Sequence, residues 1–338
     1  MRFRLVALAL ASFLAVGTAQ AQSGGASAHP SCVGQAADAC QQAVDFFGYM
    51  APQLGTAMTG GNTTLAQGGS LGGMRFGLVP RFAIGVRVNA VQGNRPVYNP
   101  TVAPLAPSNA PPPAAKEIAT ENQVVPLPAV DLALGVFKGI PLALSNVGGV
   151  DLLLSASFVP NVGDRATDDF ALEVDESLAL GYGVRVGLLQ ESLVVPGVGF
   201  SYMQRKFPKT TLFAKSDNAV GTASLEVRDL DLKSNAWRLT VSKSLLLFGL
   251  AAGVGQDAYD VSTSILATQS PAAPVSAAVS SKVTRTNYFA DVSMNLLVLK
   301  LVGTVGMVSG GDIVTYNSYD NAADKSRLYG SVGVRFGL

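Results

Sequence analysis

From residue 82 onward the sequence places apolar side chains at every second position, and that period decides most of what the chain can become. Phe82, Ile84, Val86, Val88 and Ala90 share one parity, with Ala83, Gly85, Arg87 and Asn89 between them. The split recurs at Val130, Leu132, Leu134 and Val136, at Val150, Leu152, Leu154, Ala156 and Phe158, and most clearly at Leu178, Leu180, Tyr182, Val184, Val186 and Leu188. Further runs begin at Val198, Trp237, Phe248, Tyr288, Leu299 and Leu328. Successive side chains leave a strand on opposite faces, whereas a helix repeats every 3.6 residues, so the repeated two-residue period predicts strands. Leu153 and Phe289 break the pattern by placing an apolar residue on the other face.

That other face is rich in Gly, Ala and Ser with isolated charges, and only 14% of all residues are charged, against about 25% in soluble proteins. A soluble β-sandwich also alternates, but its outer face would carry many Lys and Glu. After residue 21 no stretch of membrane-crossing length is free of charged and turn residues. Only helices and closed barrels satisfy their backbone polar groups in lipid, so a membrane-embedded chain of this kind is a barrel. The connections alternate in length as barrel ends do: short near 139–147, 190–196, 245–247 and 297–298, long at 93–122, 161–169, 207–221, 267–280 and 309–325. The expectation is an all-β, antiparallel up-and-down transmembrane β-barrel of about ten strands. Twelve is the alternative, if residues 71–79 add a strand before Pro80 and residues 227–232 separate from the Trp237 strand.

Before the barrel, Arg2 and Arg4 precede an apolar stretch over residues 5–16 and then Ala19-Gln20-Ala21, the pattern of a signal peptide cleaved before Gln22. The chain then divides into residues 1–21, an N-terminal helical segment over 22–69, and a barrel over 70–338. Cys32 and Cys40 are the only cysteines, and an exported compartment favours a disulfide between them. Residues eight apart in one helix lie about 12 Å apart, beyond the ~7 Å limit for bridging, so Cys32 has to precede the helix and fold back. Val33, Ala36, Ala37, Cys40, Val44 and Phe47 follow helical spacing, and the helix is expected to stop before Pro52. Such a segment plugs the lumen or caps it from the periplasm; Phe46, Phe47 and Tyr49 suit apolar surroundings. Glycines at 60, 61, 68, 69, 72 and 73 read as a flexible approach and make no nucleotide-binding motif.

The net charge of +1 offers no basic field for nucleic acid. A single histidine, His29, removes Ser/His/Asp catalysis and multi-histidine zinc sites, so the chain is expected to be no enzyme and to need no cofactor. The inward parity collects Arg87, Asp131, Asp151, Arg185, Arg205, Arg238, Asp257, Asp291 and Arg335, with Asn89 and Asn295. Opposite charges in a narrow interior pair and brace it, because an unpaired buried charge is costly; alternatively they form a polar constriction that selects small solutes.

At the end of the chain, Ser331-x-Gly333-x-x-Phe336-x-Leu338 resembles the C-terminal assembly signal of Gram-negative outer-membrane β-barrel proteins. The resemblance implies an outer-membrane location and two partners, outer-membrane lipid and the barrel assembly machinery, with Gly333, Phe336 and Leu338 as the recognised end. The organisation also looks slightly like transporters of the long-chain fatty-acid type, which place an N-terminal segment inside their barrel. The expected function is that of a passive channel or transporter for small apolar or polar solutes. The alternative is a closed structural or surface-interaction barrel without transport.

Overall fold

The computed structural model describes residues 25–337 apart from 62, 64–65, 76–78, 99–106, 108, 143–144 and 219–220. The signal peptide and Leu338 of the assembly signal lie outside the described residues. Twelve strands form one antiparallel sheet: β1 (Phe82–Pro96), β2 (Thr120–Phe137), β3 (Gly149–Phe158), β4 (Phe170–Val174), β5 (Leu178–Leu189), β6 (Gly197–Lys206), β7 (Thr210–Asn218), β8 (Gly221–Leu245), β9 (Phe248–Gln269), β10 (Val275–Leu296), β11 (Leu299–Ser309) and β12 (Arg327–Gly337). All but β4 and β7 close a ring of ten in chain order. The seam joins the last strand to the first, from Tyr329↔Val91 to Gly337↔Ala83. The lower part of β8 pairs with β6, from Ser242↔Gly197 to Lys233↔Lys206. Its upper part pairs instead with β7, which carries β4 on its far edge, so the sheet continues past the ring as a flap.

The ring has the ten strands the sequence predicts, and neither segment that would have made twelve joins it as a separate strand, whereas the long connection expected at 267–280 does not hold. Residues 227–232 are not a separate strand, because a bulge between Arg228 and Asp231 keeps β8 continuous. Asp229 takes the left-handed conformation there, at φ 51°. Residues 71–79 contribute only a two-residue pairing, Met74–Arg75 with Val79–Pro80, outside the ring. The stretch 267–280 is mostly ladder, Ala267 pairing with Val275, and only residues 270–274 turn. The Ala and Ser residues beside its prolines can pair, and the prolines sit in the turn itself.

Outside, the apolar parity faces away from the ring. Val86, Leu152, Leu180, Leu250, Val292, Val305 and Val332 are all exposed. Phe82 and Phe336 meet at the short-turn edge, with centroids 6.2 Å apart. Tyr182, Tyr202 and the stacked Phe200–Trp237 pair stand nearer the long-loop edge. Above them the outward face turns charged, with ion pairs Lys233–Asp231 and Lys282–Asp260. An apolar band between aromatic rows, on ring strands that all reach the roughly 9–11 residues needed to cross a bilayer, is the surface of a transmembrane barrel. No helix among the described residues is long and apolar enough to cross a membrane.

Inside the ring lies α1 (Ala37–Thr59), packed on β9, β8, β1 and β10. The helix passes through Pro52 instead of stopping before it. Proline removes one backbone donor, and enclosure overrides that loss: Gln53 Nε2 donates to Tyr49 O (3.2 Å) and Asn94 O (2.9 Å), and Thr56 Oγ1 donates to Pro52 O (2.9 Å). Phe46, Phe47, Tyr49 and Leu54 pack in one cluster with Leu212, Leu225, Val227 and Ile265 of the flap and tall strands. Cys32 precedes the helix and is bonded to Cys40, with Cα atoms 5.3 Å apart.

Candidate functional site

The interior has two levels. At the long-loop end, α1 fills it with side chains. Tyr49 lies against Tyr319, with centroids 4.4 Å apart, and its hydroxyl donates to Asn321 O at 2.7 Å. Asp45 accepts four hydrogen bonds, from Tyr316 N (2.9 Å), Asn317 N (2.9 Å), Asn317 Nδ2 (2.7 Å) and Gln41 Nε2 (3.2 Å). Burial outweighs these bonds and pushes its carboxyl up to about 6. Arg327 reaches both Asn94 and, at 3.0 Å, the Tyr49 hydroxyl.

Below Thr59 the described residues between Gly60 and Gly73 run on as irregular chain, with positive φ at Gly61, Ala66 and Gly72, to the short-turn rim. Backbone outside helix and sheet leaves its N–H and C=O groups to find partners elsewhere, and here the wall supplies them. Arg87 is ion-paired with Asp131 and donates through Nη1 to Gly60 O at 2.8 Å; Asn89 Nδ2 donates to the same oxygen at 2.9 Å. Arg238 pairs with Asp257 at 2.6 Å and also reaches Thr59 O at 3.4 Å. Arg205 donates to Thr63 Oγ1 at 2.9 Å. Lys300 Nζ donates to Ala66 O at 3.2 Å, and Arg335 to Gln67 Oε1. Arg185 binds Asp151 at 2.7 Å and Gln67 O at 3.1 Å, while Asp151 also accepts from Leu71 N at 3.0 Å. Gly68 N donates to Ser242 Oγ at 2.8 Å, and Gln190 Nε2 to Ser70 O at 2.8 Å.

The wall is cut back where this segment passes. A Cβ on Gly135 would stand 2.0 Å from Gly72 O, and one on Gly199 would stand 2.1 Å from Gly68 O. Gly149, Gly187 and Gly197 border the same groove against Ser70 and Gly69. The two parity exceptions also face inward: Leu153 clusters with Met203 and Leu71, and Phe289 with Ala57 and Tyr329.

The inward charges of the sequence thus come together as three pairs, Arg87–Asp131, Arg185–Asp151 and Arg238–Asp257, all on neighbouring strands. Asp291 accepts from Thr304 Oγ1 at 2.6 Å. Asn295 lies at the short-turn rim, donating to Leu246 O at 3.1 Å. Sequence reasoning missed Lys300, Arg285, Arg327 and Asn94. Arg285, Lys300 and Arg327 continue the inward parity of their strands, and an extended count would have found them; Asn94 stands on the opposite parity of β1, which parity alone does not select.

A cavity of about 370 Å³ opens at the short-turn end, lined by Arg81, Gln190, Glu191, Lys300 and Arg335, with Gln67 among its walls. Beside Gly61 and Thr63 two spaces of only about 10 Å³ remain, next to Asp131 and to Arg205, each about the room one water needs. Among the described residues no group of three His, Cys, Asp or Glu side chains could hold a metal.

No family model and no curated protein matches the chain. Among solved structures it is similar to the transport unit of the autotransporter AIDA-I from Escherichia coli, at 11% identity over 86% of this chain and 99% of that one, with a TM-score of 0.26. It is also similar to the toluene transporter TodX of Pseudomonas putida, at 10% identity over 81% and 96%, with a TM-score of 0.27. The fold stands on the strand pairing itself.

Proposed function

We propose that this protein is an outer-membrane transport barrel shut by its own N-terminal segment, which passes small solutes when α1 and residues 60–73 leave the lumen. The observation that carries the reading is how the described residues of 60–73 are held. They bind mainly through wall side chains on their backbone, such as Arg185 on Gln67 O and Asp151 on Leu71 N. Hydrogen bonds of this kind contribute only about 0.5–3 kcal/mol each because water can replace them. In the open state the three charge pairs would line the passage, with Arg87 and Asp131 as the first residues to test for charge selectivity. The apolar band seats the ring in outer-membrane lipid, and the segment ending in Gly333, Phe336 and Leu338 offers itself to the assembly machinery. Short turns then face the periplasm and long connections the exterior.

The test is single-channel conductance and liposome swelling of the refolded chain with and without residues 25–69. Discrete conductance that appears or grows on deletion is the expected result. Silence in both, with heat-modifiable gel migration showing that both barrels fold, overturns the transport reading. A second reading, a permanently closed structural barrel, has its own support in the burial of α1 among apolar side chains, and silence in both proteins is what it requires.

A further inference from the structure

The path of the inner chain bears on where the N-terminal segment lies. Ala26 N donates to Thr315 O at 3.4 Å, and Gly34 N to Ala110 O at 2.7 Å, so residues 26–34 are bonded to two of the long connections. Cys32 and Cys40 are buried against Ala267 and Ala277, next to the turn that joins β9 to β10. From there α1 descends past Asn321 at Tyr49, Asn94 at Gln53 and Tyr259 at Thr59, and the irregular segment after it finishes beside Lys138 at Gly73. The segment therefore enters from the long-loop end and leaves at the short-turn end, where it joins β1. Helix and irregular chain lie in the interior along that path, with two spaces of about 10 Å³ beside Gly61 and Thr63.

A chain exported behind a signal peptide reaches the outer membrane from the periplasmic side. Residues 25–40 lie at the opposite end of the barrel from the short turns, so they have crossed. The groove they crossed is built for such a cargo. It touches Thr59 O, Gly60 O, Ala66 O, Gln67 O, Gly68 N and Leu71 N, all backbone atoms, and it is cut back by glycine where the segment passes. Donors and acceptors spaced along a main chain fit a polypeptide backbone with small side chains. They fit neither a sugar, which needs hydroxyl partners on both faces, nor a hydrocarbon, which needs none.

We propose that the barrel carries its own N-terminal segment outward across the membrane and holds residues 25–40, with the Cys32–Cys40 loop, on the cell surface. This inference rests on the membrane-spanning reading and is indifferent to whether the segment later leaves the lumen. The native chain has no free thiol, so single added cysteines report position. Ser27→Cys, Ala273→Cys in the β9–β10 turn and Leu247→Cys in the β8–β9 turn are each placed in the full-length protein. Intact cells then receive a membrane-impermeant maleimide, before and after permeabilisation. The expected result is equal labelling of Ser27→Cys and Ala273→Cys in both conditions, and labelling of Leu247→Cys only after permeabilisation. Labelling of Ser27→Cys only after permeabilisation, with Ala273→Cys reactive on intact cells, overturns the proposal. So does labelling of Leu247→Cys alone on intact cells, which reverses the barrel. An epitope inserted after Ser27 and read by antibody on intact cells gives the same decision if the added thiol exchanges with the disulfide. Neither readout depends on conductance, so failure here and failure of the transport reading are separate events.

Discussion

Above Thr59 the inner chain is a helix that meets the wall through side chains; below it the chain is irregular and meets the wall largely through its backbone. The upper contacts bury Phe46, Phe47, Tyr49 and Leu54 in a cluster shared with the flap. Their hold comes from removing apolar surface from water, at about 25 cal/mol per Å², and no water molecule can substitute for it. The lower contacts are hydrogen bonds donated by Arg87, Arg185 and Lys300 and one accepted by Ser242, for which water is a competent replacement. One tube therefore grips one chain by two chemistries, and the lower grip is the one that exchanges.

The comparison can be broken at either level. Phe47→Ala, in the apolar cluster, should cost about 3–5 kcal/mol, seen as a lower denaturant midpoint of the refolded barrel, while conductance stays at the native level. Asp151→Ala strips Arg185 of its partner and frees Leu71 N; removing one member of a buried pair costs about 3–5 kcal/mol. It should speed amide exchange across residues 66–72 and raise conductance. If Phe47→Ala opens the pore and Asp151→Ala does not, the assignment of the two levels is reversed.

Smaller changes sharpen it. Gly199→Ala puts a methyl group against Gly68 O and should cost about 1–3 kcal/mol by overpacking, again with faster exchange in the lower segment. Gly303→Ala meets nothing within 4 Å and serves as the control, with both readouts unchanged. The smallest measurable effect is on pH. Asp45 binds its proton more tightly in the folded protein, at about 6 against 3.8. Its contribution to stability is complete below 3.8 and is lost as pH rises through 6. Amides of α1, corrected for intrinsic rates, should be better protected at pH 5 than at pH 7, and Asp45→Asn should remove the difference. Equal protection of the native helix at both pH values sinks the claim.

The barrel was legible because parity is a local property: each run from Phe82 to Leu328 declares its two faces without reference to any other. The two exceptions carried information of another kind, since Leu153 and Phe289 turn inward where Leu71 and Ala57 approach. What parity does not contain is partnership. It places Arg185 on the inner face, but its bond to Gln67 spans 118 positions, and no periodicity links them. The glycines at 135 and 199 read as a narrow interior, and their purpose became visible only with Gly72 and Gly68 against them. The helix ran through Pro52 because tertiary enclosure outweighs one missing donor, and a rule for local boundaries has no term for enclosure.

The seam between β12 and β1 sits where the inner chain ends. Residues 60–73 lead through the Met74–Pro80 pairing straight into β1, whose far edge pairs with the last strand of the chain. First-to-last pairing is the most distant contact the sequence can make, and distant contacts form late. Once the seam is shut, a helix about 10–12 Å across with its side chains would have to be drawn through a ring whose interior is already lined with bonded arginines. The side on which the N-terminus rests is therefore settled by the order of two folding events, threading and then closure. It is a kinetic commitment, made once per molecule, that no later equilibrium revises.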